Sequence, residues 1–398
     1  MHPADEIRGS KSKILSKKRI ILGVTGSIAA VETIRLSREL IRNGAEVIPV
    51  MTSSASKIIH PNSLWFATGN TPIIELSGKT EHVYYCGRVK NPADLLLICP
   101  CTANTISKIA NGIDDTPVTT FATTAIGSGV PIIIVLAMHL SMYDHKIVQE
   151  NIKKCKKIGI KFIEPKIYKN KAKMAEIDEI IANVIREAGK KKLKNKKILI
   201  IGGPSAESID DIRLITNRSS GKTAISLAKI AFLEGADVEL WYGRGREHIP
   251  NYLLTKNFES INDLHKMITL KNLDKFDAII LCAALSDYIP KKQKGKLPSG
   301  KQKLIIELLP TEKIISLLRK KARNSKIIGF KVEDKKDQLL KRTMKLIKDN
   351  NLDFAIANTI KGFGKESNEI WIINKNGKSL HKKGKKDQLS NYILDTIL

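Results

Sequence analysis

The chain has 398 residues, a formal net charge of +28, 42% apolar residues and 5% aromatic residues. That length predicts two domains, each able to build its own core, and no apolar run reaches the roughly 18–20 residues that cross a bilayer. The lysines are dispersed and no RNA- or DNA-binding module is legible, so the charge reads as solvated basic faces and anionic small-molecule substrates, with no nucleic-acid or membrane partner.

Residues 1–18 read as a polar N-terminal arm without the apolar stretch of a signal peptide. Five cysteines without scaffold spacing fit a reducing cytoplasm. Arg19 to Leu22 predicts a strand that ends in Gly23-Val24-Thr25-Gly26-Ser27-Ile28-Ala29-Ala30. The following helix turns Ile34, Leu36, Leu40 and Ile41 inward and stops at Asn43-Gly44. Glu46 to Met51 is the next strand, and Thr52-Ser53-Ser54-Ala55 at its tip offers hydroxyls and a second helix start. Asp94 to Cys99 and Pro131 to Ala137 are short β-branched or leucine-rich runs, as expected of strands buried on both faces. Thr102 to Asn111, between them, reads as a helix. Cys99-Pro100-Cys101 has no second ligand pair and reads as ordinary core and loop thiols rather than a metal site.

Glu176 to Ala188 has a clean helical period that Gly189 ends, and the basic stretch 190–196 after it predicts the linker between a domain at 19–189 and one at 197–398. Lys197 to Trp241 then repeats the strand, glycine turn, helix, strand plan of Ile20 to Met51. Its turn is Gly202-Gly203-Pro204, a loop carries Arg213, and Asn217-Arg218-Ser219-Ser220-Gly221-Lys222 opens the helix. Hydroxyls, free backbone N–H groups and an ammonium there suit an anion; the bland alternative is a capped helix start with a solvated lysine. The spacing is not that of a Walker A loop. Asp277 to Ala284, Ser325 to Phe330 and Asp353 to Ala357 are further strands, Lys291 to Lys303 is a loop that would be mobile unless a ligand orders it, and Asn374 to Gly377 signals a hairpin. Two α/β, Rossmann-like domains with mostly parallel sheets follow.

The first glycine turn does not have the G-x-G-x-x-G spacing, and the tip of the next strand carries Thr52, Ser53 and Ser54 where a dinucleotide site wants an acid for the ribose. Hydroxyls and free N–H groups suit a single phosphate, so FMN fits and NAD does not. With these features, His82, Pro100 to Asn104, Ala137-Met138-His139, Met142-Tyr143 and Lys173-Met174-Ala175-Glu176 resemble the flavoprotein half of the bifunctional coenzyme A biosynthesis proteins. That half is a flavodoxin-like, homo-oligomeric flavin-containing 4′-phosphopantothenoylcysteine decarboxylase. The resemblance implies FMN held by Gly26, Ser27, Thr52, Ser54, Thr102 and Asn104, with Met138, Lys173 and Met174 on the substrate and His82 as the base. It also implies redox-neutral chemistry overall: the cysteinyl thiol is oxidised to a thioaldehyde, the carboxylate leaves, and the ene-thiolate is reduced back to a thiol. Two departures stand out. Leu136-Ala137-Met138-His139 replaces the family's Pro-Ala-Met-Asn, which makes His139 the donor to the substrate carboxylate. The loop Glu164 to Lys171 lacks the cysteine common in the family and carries Tyr168 as a substitute proton donor.

The likeness continues through Gly203-Pro204, Asp211-Ile212-Arg213, Asn217 to Lys222, Cys282 to Tyr288, Gly295-Lys296, Gly329-Phe330 and Ala357-Asn358, which resemble phosphopantothenate–cysteine ligase. Joining a carboxylate to an amine requires an activated acyl group, and by resemblance CTP supplies it as an acyl-cytidylate that cysteine then attacks. Arg213, Asn217 and Lys296 are the implied catalytic residues. Ser219, Ser220, Gly221, Lys222, Ala283, Ala284, Asp287, Phe330, Lys345 and Lys348 are the implied CTP contacts, with Mg²⁺ accompanying the triphosphate near Asp287. Trimers of the flavin half tied by dimers of the ligase half, up to a dodecamer, are the implied assembly. The alternatives are a working ligase with an altered decarboxylase, a basic RNA-associated Rossmann-like protein, and a flavin-prenyl-transferring relative that leaves 190–398 unexplained.

Overall fold

The computed structural model describes residues 2–169, 171–298, 300, 303–360 and 365–398. Asn170 of the Tyr168 loop, and Ser299, Lys301 and Gln302 of the loop read at 291–303, lie outside the described residues. The chain divides into two compact units between Lys190 and Lys191.

The first unit is built on five parallel strands: β1 (Arg19–Val24), β2 (Glu46–Met51), β3 (Leu95–Cys101), β4 (Ile132–Leu136) and β5 (Lys161–Ile163), in the order β2-β1-β3-β4-β5. Every residue of β3 and β4 is buried, which is why those strands read as unbroken apolar runs. Chain order reverses between β1 and β3, so the crevice beyond their carboxyl ends is the place for a ligand. Residues 2–18 do not form a free arm. Leu15 and Ala4 are fully buried, and Gly9, Lys11 and Leu15 donate backbone N–H groups to the carbonyls of Ile41 (2.9 Å), Arg42 (3.0 Å) and Asn43 (2.9 Å). The segment thus satisfies the open carbonyl end of the helix Thr33–Arg42. A small antiparallel sheet, Met138–His139, Lys171–Lys173 and Lys166–Tyr168, stands beyond the tip of β4.

The main sheet of the second unit has eight strands: β6 (Lys197–Gly202), β7 (Asp237–Tyr242), β8 (Leu254–Asn257), β9 (Ala278–Leu281), β10 (Lys326–Glu333), β11 (Phe354–Thr359), β12 (Ser367–Asn374) and β13 (Ser379–Lys385). Their order is β8-β7-β6-β9-β10-β11-β12-β13, parallel as far as β11 and antiparallel after it. The helices Lys222–Leu233 and Lys386–Ile397 cover one face of the sheet, burying Ala224, Leu227, Ala228, Leu389 and Ile393 in a shared core. The helices Ile261–Leu270, Ile314–Lys321 and Lys336–Asn350 cover the other. The basic stretch after Gly189 belongs to this unit: Leu193 is 7% exposed within its core. Here too the order reverses, between β6 and β9.

Candidate active sites

Three neighbouring strands of the first unit end in hydroxyl residues that cap the next element. Ser27 after β1 accepts from Ala29 N (3.4 Å), Thr52 after β2 from Ala55 N (3.2 Å), and Thr102 after β3 from Thr105 N (3.3 Å). Thr25 ties two of these tips together, donating to the Pro100 carbonyl (2.7 Å) and accepting from Thr102 N (3.2 Å). A Cβ on Gly26 would lie 2.5 Å from the Cβ of Ser54, so the turn after β1 approaches the tip of β2 only as glycine. Gly26, Ser27, Thr52, Ser54 and Thr102 therefore gather at the carboxyl ends of β2, β1 and β3. Asn104 is exposed on the first turn of the helix that Thr102 caps.

His82 lies on the short helix Glu81–Cys86, and its Nδ1 is buried without a hydrogen-bond partner among the described residues. A buried ring nitrogen left unpaired by the protein is open to a water, an ion or a ligand. His139 caps the turn Leu140–Tyr143 through Nδ1, which accepts from Ser141 N (3.4 Å). Cross-strand register aligns His139 with Lys171 and Lys171 with Tyr168, so these three share one face of the small sheet. Met138, Ala172 and Ile167 share the other, with Ala172 buried. Lys173 Nζ sits 5.0 Å from the centre of the Tyr168 ring. Met174 instead turns inward, with Sδ 3.5 Å from Cys99 Sγ. Cys86, Cys99, Cys101 and Cys155 are all buried, and burial pushes the Cys155 thiol up to about 11. No thiol of this unit stands on the small sheet, whose strands carry Lys166-Ile167-Tyr168 and Lys171-Ala172-Lys173.

In the second unit the glycine turn is shaped by close packing. A Cβ on Gly202 would lie 2.0 Å from that of Ala224, and one on Gly221 (φ 81°) would lie 2.1 Å from the Tyr242 hydroxyl. Tyr242 OH in turn donates to the Ser220 carbonyl (2.8 Å). Ser219, Ser220, Gly221 and Lys222 form one wall of a cavity at the carboxyl ends of β9, β10 and β11, with Ala284 and Asn358 opposite. A second cavity, lined by Asp287, Thr311 and Lys313, shares Ala283 and Phe330 with the first. Asn217 Nδ2 donates to the carbonyl of Ala284 (2.8 Å), a residue that lines the first cavity.

Arg213 is held by a residue that the motifs did not single out. The Asp210 side chain is fully buried and accepts from the N–H groups of Ile212 (2.8 Å), Arg213 (2.5 Å) and Leu297 (3.0 Å). Arg213 Nη1 bridges back to Asp210 Oδ2 and the Leu297 carbonyl, each at 3.3 Å. Asp211 accepts from Gly295 N (2.8 Å) and pairs with Lys292 (2.9 Å). The segment 291–298, expected to wait for a ligand, is thus already tied to the Arg213 loop, and exposed Lys296 rides on it. Asp287 pairs with Lys313 Nζ (2.5 Å). Among the described residues no three His, Cys, Asp or Glu side chains cluster to hold a metal ion.

Lys345 and Lys348 are exposed and line neither cavity. They sit in the last turns of Lys336–Asn350, roughly 14 and 18 Å along the axis from its start, and the start is the end that follows β10 towards the cavities. Thr311 and Lys313, which precede the helix Ile314–Lys321, occupy a wall that the sequence reading overlooked. The signal was there: Pro310-Thr311-Glu312-Lys313 ahead of an amphipathic helix is a polar helix start.

The flavoprotein family model matches residues 8–189, and that of the DNA/pantothenate metabolism flavoprotein C-terminal domain matches 193–398. The coenzyme A biosynthesis bifunctional protein CoaBC of Thermococcus kodakarensis is 43% identical over 403 residues, covering 100% of this chain and 99% of its own. The CoaBC of Methanocaldococcus jannaschii is 39% identical, covering 94% of this chain and 92% of its own. A solved structure of the DNA/pantothenate metabolism flavoprotein from Streptococcus pneumoniae is 25% identical, covering 51% of this chain and 98% of its own with a TM-score of 0.46. With full-length identity at this level and both domain models in order, the chain belongs to the CoaBC family of bifunctional coenzyme A biosynthesis enzymes, a flavoprotein decarboxylase unit followed by a ligase unit.

Proposed function

We propose that the second unit joins cysteine to 4′-phosphopantothenate at the expense of CTP, and that the first decarboxylates the product to 4′-phosphopantetheine. The observation that carries this reading is a pair of switch-point sites of different chemistry in one chain. One is lined by hydroxyls, with an unpaired imidazole nitrogen in the same unit; the other is walled by a helix start and lysines.

In the ligase unit, Asn217 donates to the acyl group as it becomes an acyl-cytidylate, and Arg213 and Lys296 offset the charge developing at the α-phosphate. Phe330, at the shared wall of the two cavities, is the apolar surface for the base. Mg²⁺ would be carried mainly by the triphosphate, and Asp287, which lines the second cavity, would be a carboxylate to hold it there.

In the flavin unit, Gly26, Ser27, Thr52, Ser54 and Thr102 fit a phosphate-bearing isoalloxazine cofactor: the glycine approach and the three hydroxyl caps converge on one strand edge. When bound, FMN supplies a two-electron oxidation and its reversal. His82 takes the proton released on oxidation at the cysteinyl carbon. His139 holds the carboxylate until it leaves, and Lys173 attracts the anionic substrate. Tyr168, on the His139 face of the small sheet, returns a proton to the ene-thiolate in place of the absent cysteine. Ile28 (77% exposed) and Tyr84 (59%) leave apolar surface beside the first glycine turn and His82, which supports a homo-oligomer covering this site. Sedimentation of the purified protein as a monomer would sink that part.

The direct test is one incubation with 4′-phosphopantothenate, cysteine and each nucleoside triphosphate, following pyrophosphate and CO₂ together. CTP-dependent pyrophosphate release followed by CO₂ from a yellow protein is expected. Pyrophosphate without CO₂ favours an altered decarboxylase.

A further inference from the structure

Lys386 is an ammonium in the ligase unit that the described residues do not neutralise. It opens the helix Lys386–Ile397 and lines the cavity formed by Ser219, Ser220, Gly221 and Lys222. The residue is only 9% exposed, yet among the described residues its ammonium makes no hydrogen bond or ion pair. Nearby carboxylates are committed elsewhere: Glu366 pairs with Lys222, and Asp387 accepts from Ser226 Oγ (2.6 Å). Burial, and next the like charge of Lys222, depress the Lys386 ammonium below the ordinary lysine value, against the pull of Glu366 and Glu247. The side chain is largely buried and lines the cavity; an ammonium so far desolvated without a partner is costly in the ligand-free protein, and an anion in the cavity would relieve it.

The facing helix supplies the other half of such a site. Lys222–Leu233 has 12 residues, and Gly221 at its N-cap offers no side-chain acceptor. The Lys222 N–H reaches Ser220 Oγ (3.3 Å), while Thr223 and Ala224 line the same cavity at the helix start.

We propose that Lys386, with Lys222 and the amide end of Lys222–Leu233, is a phosphate-binding residue of the ligase site. The claim rests on the ligase reading for the identity of the phosphate, which belongs either to the nucleotide or to the 4′-phosphate end of the acyl substrate. Lys386 binds it as a compact point charge, and the helix start supplies directed N–H donors.

The test compares full-length wild type with Lys386→Met, using inorganic pyrophosphate, CTP and 4′-phosphopantothenate singly, by calorimetric titration and thermal melting. The ligand-free variant should melt higher than wild type, because an unpaired buried charge is gone. At least tenfold weaker binding of pyrophosphate and CTP, with phosphopantothenate unchanged, assigns the site to the triphosphate; the reverse pattern assigns it to the acyl substrate. Lys386→Arg should keep affinity within a few-fold. If all three ligands bind Lys386→Met as tightly as wild type, or if the variant melts lower with unchanged affinities, Lys386 has a structural role and the proposal fails. Should the Met variant not fold, Lys386→Gln carries the same readouts. Pyrophosphate binding needs no turnover, so a wild type that fails to ligate would overturn the ligase reading separately.

Discussion

At Asp210 a single carboxylate organises two stretches of the ligase site. The backbone N–H groups of Arg213 and then Leu297 hold it down to about 2, against the opposing effect of burial. Because the folded value lies below the ordinary aspartate value, its stabilising effect is fully present above about pH 4 and is lost only as pH falls towards 2. The anchor is therefore constant across neutral pH. Asp210→Asn keeps the shape but turns one acceptor into a donor facing N–H groups. We expect ligation to fall roughly 10- to 100-fold, mainly in kcat, with faster tryptic cleavage between Lys291 and Lys296; unchanged proteolysis with normal turnover would refute the anchoring role. Asn217→Asp should cost more, about 10²- to 10³-fold in ligation, while the flavin absorbance stays intact. His82→Asn is the matching change in the other unit: FMN and ligation remain, CO₂ release is lost.

What could be read in advance at this scale depended on sequence distance. Arg213 and Asn217 to Lys222 stand in one short stretch, and their chemistry shows in their order. Asp210 stands next to that stretch, but its role lies in bonds to Leu297, 87 positions away, and no local pattern announces such a pairing. Lys386 is further still, on the last helix, where a lysine after a strand reads as a solvated end. Lys345 and Lys348 are harder to place from sequence, because a basic helix gives many lysines at plausible spacing, and both are exposed near its end.

The secondary-structure elements were legible where periodicity is strong. Strands β3 and β4, the Ile177–Ala188 helix and the β12–β13 hairpin fall where apolar runs and the Asn374–Gly377 turn put them. The small sheet Met138–His139, Lys171–Lys173, Lys166–Tyr168 was not, because it joins two-to-three-residue strands from distant stretches. That sheet puts Tyr168 and His139 on one face, on either side of Lys171. Tyr168→Phe should leave FMN and ligation untouched and still release CO₂, while thiol formation slows by about 10²-fold and ene-thiol accumulates. Thiol formation at the wild-type rate would mean that the proton comes from elsewhere. In the second unit, Glu239 on β7 is 5% exposed and accepts from Lys271 Nζ (2.6 Å to each oxygen) and Trp241 Nε1 (2.8 Å). Burial raises its carboxyl, but the bonds to Lys271 and Trp241 outweigh this and hold it below the usual glutamate value. Its contribution is thus full above that value and fades as pH falls through the lower, folded one. Glu239→Gln strands Lys271 and should cost about 3 kcal/mol, read as an earlier denaturant midpoint that converges with wild type in acid.

For the whole molecule, the decisive property is that each unit contains its own sheet, its own core and its own switch-point site. Among the described residues, a core cluster of the first unit runs from Ile21 to Ile160, and two of the second unit lie within 193–398. The two reactions also run against the order of the chain, since the product of the second unit is the substrate of the first. Every residue proposed for either site comes from its own unit. Residues 1–190 and 191–398 made separately should therefore both fold. The first should be yellow and release CO₂ from added 4′-phosphopantothenoylcysteine; the second should be colourless and release pyrophosphate from CTP. Mixed together, they should convert 4′-phosphopantothenate to 4′-phosphopantetheine, with a lag set by how fast the intermediate accumulates. A shorter lag in the intact chain at equal site concentration would show that the covalent link speeds transfer. Loss of pyrophosphate release in the isolated second unit would show instead that its site needs the first, and the separation argued from the two cores would be wrong.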